Sequence, residues 1–503
     1  MKQKTAIALF LITTTANALA QHGTPADRKL DSIVERAAAS ITKDGPWTAL
    51  SVGVVKSGQL YLYNYGSTDR NGNQVPTSHT LYEIGSITKT FSGILLAHAV
   101  LEKKVKLDDD IRQYLKGDYP NLAWQGKPIR LIHLVDLTSG LPNSLPDGPE
   151  TFKGMSADSM PFAYVRLHDQ YTKEQFFTDL HGVKLDTLPG SFPRHSNTAG
   201  QLLGYILENV YHRSYGQLLE KYIFQPLGMH ETYITIPRNK LRFRAMAYNE
   251  RGKPMPYITK DDPAAFGIKS TVADMTRYLA LHLDEGDSAV NMTHQIAWGN
   301  PDYFSLGFNW FIGKTFDGKK RIRNDGTTFG FTTYCLLYPQ LDFGVVLMTN
   351  ECAPSSVIQN ELGDAADSIY LKNFYSPAQL ASDGFGFSSA INVLLGELDK
   401  KGFARALETA GELKKNDAKF ELTESEVNAW GYALFRKGKK QEAVEIFKLN
   451  IGLYPQGYNT YDSMGDIYEQ MGNRELAIKN YQRSLELNPG NTNATEHLKK
   501  LKN

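Results

Sequence analysis

The sequence predicts an α+β domain followed by an all-α repeat region. Strand-like runs lie towards both ends of residues 28–365, with helices and long Pro- and Gly-bearing loops between them. That is the pattern of one sheet closed by segments distant in the chain. From about residue 388 onward the chain is polar and helical, and it repeats itself at a spacing of 34 residues. With 503 residues, 41% of them hydrophobic and 22% charged, it has ordinary globular composition and the length of two to four domains.

The elements follow in chain order. Residues 28–42 place Leu30, Ile33, Val34 and Ala37 on one helical face. Ala49 to Val55 reads as a strand, Gly58 as a turn, and Gln59 to Tyr65 as the hairpin partner. Ser86 to Leu101 is a strongly apolar helix in which Phe91, Ile94, Leu95, Ala97 and Val100 recur at helical spacing. Leu107 to Ile111 opens a short helix with an acidic first turn. Helices are expected over Thr198 to Val210 and Val272 to Leu283. Strands are expected at Gly307 to Phe311, Arg321 to Asn324, Phe331 to Tyr338 and Gly344 to Asn350. Residues 366–387 read as a linker, their later part (373–387) rich in Phe, Tyr, Ser, Pro and Gly.

Residues 388–503 carry the repeats. Gly431 and Gly465, Gly438 and Gly472, Ala443 and Ala477, Phe447 and Tyr481, and Pro455 and Pro489 are each 34 apart. Small residues where helices cross and a closing Pro resemble tetratricopeptide repeats, with Ile391 to Lys414 as a degenerate first unit. That resemblance implies a protein-binding or packing surface rather than chemistry.

Charge and cysteine content exclude several functions. Lys+Arg is 55 and Asp+Glu is 54, a net of +1, without the basic excess of a nucleic-acid-binding surface. The two cysteines, Cys335 and Cys352, exclude a disulfide framework and a cysteine zinc site. The histidines show no His-Glu-x-x-His spacing, and no cofactor or metal is expected. Lys2 and Lys4, the apolar run Ala6 to Ile12 and Ala18-Leu19-Ala20 form a signal peptide over residues 1–20, cut before Gln21. A periplasmic or secreted protein is expected, with no transmembrane segment in the mature chain.

Ser-x-x-Lys occurs twice, both times as Ser-Ile-Thr-Lys. Ser40 to Lys43 precedes the turn Asp44-Gly45-Pro46 at a helix end and reads as structural. Ser86 to Lys89 opens the most apolar helix, which puts both side chains on one face. In a first helical turn, free backbone N–H groups favour developing negative charge on a serine oxygen. An apolar surround lowers a lysine's pKa, and a neutral amine can accept the serine proton. The tetrapeptide alone fits a helix-capping serine and a surface lysine equally well.

Its surroundings decide between the two. Leu81-Tyr82-Glu83-Ile84-Gly85-Ser86-Ile87-Thr88-Lys89-Thr90-Phe91 resembles the active-site helix of serine β-lactamases and penicillin-binding proteins. The likeness is greatest to the family of class C β-lactamases, D-alanyl-D-alanine carboxypeptidases and esterases. Ile132 to Pro142, ending Thr138-Ser139-Gly140-Leu141-Pro142, is similar to a segment of that family. So are Pro189 to Asn197 (its Tyr-x-Asn loop), and Ser305 to Trp310 and Gly344 to Asn350 (its closing strands). The resemblance covers residues 28–365 and implies a β-lactamase-like fold, an antiparallel sheet flanked by helices plus a helical part.

Two positions depart from the pattern. His195-Ser196-Asn197 stands where the family has Tyr-x-Asn, while the literal Tyr119-Pro120-Asn121 lies in the wrong context and reads as a loop. Asn324-Asp325-Gly326 stands where it has Lys-Thr-Gly or His-x-Gly, so the usual cation for a substrate carboxylate is missing. The resemblance implies that Ser86 attacks a carbonyl, Lys89 helps remove its proton and Asn197 holds Lys89 and the substrate amide. Asn324, Gly326 and Thr327 would line the substrate, with the N–H groups of Ser86 and Thr327 as oxyanion hole. His195 would serve as acid–base group, with an ordinary imidazole pKa predicting a pH–rate limb near neutrality.

The expected protein is an exported serine hydrolase forming an acyl-enzyme on D-amino-acid peptides, peptidoglycan fragments or esters. A β-lactamase and a catalytically silent ligand- or partner-binding protein are the alternatives. The expected partners are a small peptide, ester or β-lactam-type substrate, with a protein partner at the repeats.

Overall fold

The structure, a computed structural model, describes residues 27–42, 48–70, 74–146, 152–258, 263–301, 304–352 and 357–502. The expected signal peptide and the turn at Asp44-Gly45-Pro46 lie outside the described residues.

One eight-stranded sheet organises the first domain. Its strands are β1 (Leu50–Lys56), β2 (Gln59–Tyr65), β3 (Trp298–Asn300), β4 (Phe304–Leu306), β5 (Phe311–Lys314), β6 (Lys320–Thr327), β7 (Thr332–Tyr338) and β8 (Phe343–Thr349). The order is β2-β1-β8-β7-β6-β5-β4-β3, antiparallel throughout, so the N-terminal hairpin closes on the last strand, with Val52 opposite Leu347. Long loops and helices separate β2 from β3, as a sheet closed by distant segments requires.

The central strands β7 and β8 are buried on both faces, which explains the apolar runs Tyr334 to Tyr338 and Phe343 to Met348. Leu336, Tyr338, Phe343, Val345 and Leu347 face helices α1 (Arg28–Thr42) and α5 (Val357–Phe374). Cys335, Leu337, Val346 and Met348 face the main core, with α2 (Thr88–Leu101), α3 (Asn197–Tyr211) and α4 (Val272–Leu283). Helix α2 is buried nearly all round, which its apolar composition requires. Phe91 stacks on Tyr278 of α4 at 3.9 Å between ring centroids.

Four expectations need correction. Gly85–Ile87 form a 3-10 turn before α2, so Ser86 sits one tight turn ahead of the α-helix. Residues 307–310 are a turn between β4 and β5, because Asn309 takes a left-handed conformation (φ 58°) that a strand cannot hold. The acidic run at 108–110 precedes its helix, with the Asp110 side chain capping the 3-10 turn Ile111–Tyr114. The linker is not loose. Residues 366–374 complete α5, where Ala366, Ile369 and Tyr370 pack on the sheet. Phe385 contacts Phe316 and Tyr375, and Asp383 pairs with Lys437 and Lys439.

The repeat region is helical throughout, through α6 (Ser389–Lys401), α7 (Ala406–Asn416), α8 (Glu424–Arg436), α9 (Lys440–Leu453), α10 (Tyr458–Gln470), α11 (Arg474–Leu487) and α12 (Thr492–Lys502). Its period has a packing cause. A Cβ on Gly431 would lie 2.8 Å from the Phe447 ring, and one on Gly465 would lie 2.8 Å from the Tyr481 ring. Gly438 and Gly472 turn the chain between paired helices at φ 81° and 78°. Among the described residues no helix is long and apolar enough to cross a membrane.

Candidate active site

Ser86 lies where the turn before α2 meets β6. The two backbones approach closely because both contact points are glycines. A Cβ on Gly326 would fall 2.0 Å from the Ile84 carbonyl oxygen and 2.8 Å from the Ser86 nitrogen. One on Gly85 would fall 2.5 Å from the Thr327 nitrogen. The amides of Ser86 and Thr327 are thereby brought side by side.

Lys89 lies in the first turn of α2, 3% exposed. Its Nζ donates to Asn197 Oδ1 at 2.7 Å and to the Ala265 carbonyl at 2.9 Å. The Ala265 oxygen can only accept, so it takes one N–H, and Asn197 Oδ1 takes a second. The remaining valence of Nζ points at Ser86 Oγ, 2.9 Å away, as the third N–H of an ammonium or the lone pair of an amine.

His195 and Asn197 come from the loop entering α3. Ser196 caps this helix, its Oγ accepting from Ala199 N at 3.0 Å and donating to the Pro142 carbonyl at 2.7 Å. Residues 137–143 are laced to residues 190–198. Arg194 N donates to the Leu137 carbonyl at 2.7 Å, and Asn197 N to the Asn143 carbonyl at 2.7 Å. This lacing sets His195 Nε2 3.1 Å from Ser86 Oγ and 3.4 Å from Lys89 Nζ, and sets Nδ1 2.8 Å from Asn143 Oδ1. With Lys89 donating to Ser86 Oγ, the hydroxyl proton is free to go to Nε2, so the consistent tautomer has Nδ1–H donating to Asn143 and an Nε2 lone pair aimed at Ser86.

The electrostatics correct one expectation. The Lys89 ammonium, and then burial of the inner edge of the ring, push the His195 pKa down from 6.5 to about 3. The ring edge that opens to the cleft tempers the burial effect but leaves the neighbouring charge in place. His195 is therefore neutral at pH 7, and its titration does not supply a limb near neutrality.

Among the sequence-based candidates, Ser86, Lys89, His195 and Asn197 meet within hydrogen-bond reach, and Gly326 and Thr327 border them. Asn324 lines the cleft, but its Nδ2 donates to the Asn309 carbonyl at 2.6 Å, so it braces the turn between β4 and β5. The sequence reading missed Asn143, Asn309, Asp325 and Gln359. Asn143 directly follows the Thr-Ser-Gly-Leu-Pro segment and Asp325 sits between Asn324 and Gly326, so position could have flagged those two. The set-aside motifs are structural. Ser40 Oγ donates to the Ala37 carbonyl, and Asn121 Nδ2 ties down the Leu180 and Val183 carbonyls. Lys43 lies outside the described residues.

Residues 34–366 match the family model Beta-lactamase, and residues 458–491 match Tetratricopeptide repeat. The chain is 25% identical over 394 residues to a beta-lactamase of Escherichia coli (strain K12), across 70% of this chain and 96% of that protein. It is 27% identical over 338 residues to Protein flp of Staphylococcus aureus (strain MRSA252), across 64% of this chain and 62% of that relative's length. A solved class C beta-lactamase aligns with 71% of this chain and 99% of its own, at a TM-score of 0.59 and 22% identity, a likeness of fold.

Proposed function

The chain belongs to the Beta-lactamase family of serine hydrolases through residues 34–366, and from that premise we propose that it cleaves amides or esters through an acyl-enzyme on Ser86. The observation that carries this reading is the convergence of Lys89 Nζ and His195 Nε2 on Ser86 Oγ, at 2.9 and 3.1 Å.

Oγ attacks the carbonyl carbon while its proton passes to the Nε2 lone pair of neutral His195, with the Lys89 ammonium donating to Oγ as the proton leaves. The oxyanion is held by the N–H groups of Ser86 and Thr327. Two adjacent positive charges resist each other, so His195 beside the Lys89 ammonium does not keep the serine proton. His195 Nε2 relays that proton to the departing nitrogen or oxygen as its bond to carbon breaks. In the second half, water gives a proton to Nε2 as its oxygen attacks the ester. The Oγ–carbon bond breaks, and the proton returns to Ser86.

Peptides with D-residues, peptidoglycan fragments and esters are the proposed substrates, and β-lactams are the second enzymatic class. The charged and apolar pattern of residues 1–20 supports export, and the tetratricopeptide match supports a protein partner at the repeats. Incubation with a fluorophosphonate and with a penicillin, followed by intact-mass spectrometry, tests the nucleophile. One adduct on the wild type and none on Ser86→Ala is expected, and the more reactive probe indicates the acyl class. No adduct with either reagent on folded protein would favour the ligand-binding alternative.

A further inference from the structure

The cleft beside Ser86 runs into a chamber of about 400 Å³ walled by Phe152, Met160, Tyr164, Ile258, Phe266 and Phe329. Separate stretches of chain supply these side chains. Met160 and Tyr164 are four residues apart on the helix Met160–Gln170, so they share one of its faces. Phe329 stands two residues beyond Thr327, the last residue of β6. Phe266 directly follows Ala265, whose carbonyl holds Lys89 Nζ. Ser86, His195, Asn197 and Thr327 line the same chamber, so it opens directly on the reacting groups.

The walls are set before any ligand enters. Ile258 and Phe266 are buried and form, with Ala265, an apolar cluster separate from both cores, on which Tyr164 and Phe329 pack. Tyr164 meets Phe329 edge to face at 5.2 Å and Phe152 at 5.9 Å, and it stacks on His168 at 3.9 Å. Phe152, Met160, Tyr164 and Phe329 are only half-buried, so the chamber keeps apolar surface that a hydrophobic group would cover. Apart from His195, which is neutral at pH 7, every described residue lining it is of an uncharged type. An ionised group entering it would lose hydration and meet no opposite charge among those residues. An apolar cavity of about 150 Å³ holds one benzene ring, so the chamber has room for an aryl ring or a branched chain.

Resting on the proposed hydrolase reading, we propose that the preferred substrate carries an uncharged apolar group, an aryl ring or a branched alkyl chain, on one side of its scissile bond, and that Phe152, Met160, Tyr164 and Phe329 select it. Ser86 and His195 both border the chamber, so the group can hang from the acyl carbon or from the leaving atom. A pair of isomeric esters distinguishes the two sides.

Methyl phenylacetate and benzyl acetate put the same ring on opposite sides of one ester, and methyl acetate carries no ring. The better isomer should exceed methyl acetate about tenfold or more in kcat/KM on the wild type, and its identity assigns the side. A para carboxylate or a para aminomethyl group on its ring should each lower kcat/KM about tenfold or more. Phe152→Ala and Phe329→Ala, which alter different stretches of the wall, should each reduce the ratio of ring ester to methyl ester by about threefold or more. The same esters titrated by NMR into Ser86→Ala should bind in the same order. A smaller advantage for both isomers, a charged ring handled as well as the neutral one, or a ratio untouched in both folded variants would overturn the proposal. Turnover of all three esters without ring preference would remove this inference and keep the hydrolase reading. Ring-dependent binding to Ser86→Ala without wild-type turnover would do the reverse.

Discussion

Lys89 and His195 stand 3.4 Å apart, and the charge on one governs the other. With the folded His195 pKa lowered to about 3, the ring stays neutral as pH falls from 8 to 5. Its NMR resonances should be flat over that range in the wild type. In Lys89→Met the main cause of the shift is gone, and the ring should titrate nearer the ordinary 6.5. A wild-type ring that titrates near 6.5 would refute the coupling. Asn143 acts through His195, holding Nδ1–H. Asn143→Leu should cut kcat roughly 10–100-fold with little change in KM, and Asn143→Asp should raise the His195 pKa; equal loss in both constants with an unchanged titration would mean a merely structural role. The four candidate residues at the site were legible because two short motifs carry them. Asn143 could be flagged only by its place after Pro142, and Asn309 not at all, because its role comes from loops laced together in space, which spacing along the chain does not encode.

Among the elements, the end of α4 is tied to the start of β6 through one carboxylate. Glu285 Oε1 accepts from His294 Nδ1 at 3.0 Å and from Lys320 Nζ at 2.6 Å. The His294 bond, then Lys320, lowers the Glu285 pKa from 4.5 to about 2. A depressed carboxylate pKa adds stability above pH 4.5 that is lost as pH falls from 4.5 towards 2. Glu285→Gln should therefore cost roughly 1–2 kcal/mol at pH 7 after allowance for partial exposure, and flatten the fall of Tm over that acid window. A variant with the wild-type slope would contradict this. Helix and strand existence was legible where apolar periodicity was strong, as in α2, α4, β7 and β8. It failed at residues 307–310, where the positive φ of Asn309 overrides an aromatic-rich, strand-like composition.

At the scale of the molecule, the segment between the sheet domain and the repeats is a clasp. Phe385 packs against Phe316 and Tyr375, while Asp383 is paired with Lys437 and Lys439 of the repeats. A composition rich in Gly, Ser and aromatic residues looked like a linker because the partners of Phe385 and Asp383 lie up to about 70 residues away. Phe385→Ala should speed thermolysin cleavage within residues 376–388. Turnover of a small ester should stay within about twofold, since none of the described repeat residues lines the cleft at Ser86. Unchanged cleavage would show that the clasp does not depend on that ring. The central claim remains a covalent one, and rapid-quench intact-mass spectrometry with an activated phenylacetyl ester tests it most directly. The account predicts one acyl adduct on Ser86, transient in the wild type, persistent in His195→Phe and absent in Ser86→Ala. Hydrolysis with no adduct in any of the three, or an adduct that survives Ser86→Ala, would contradict it.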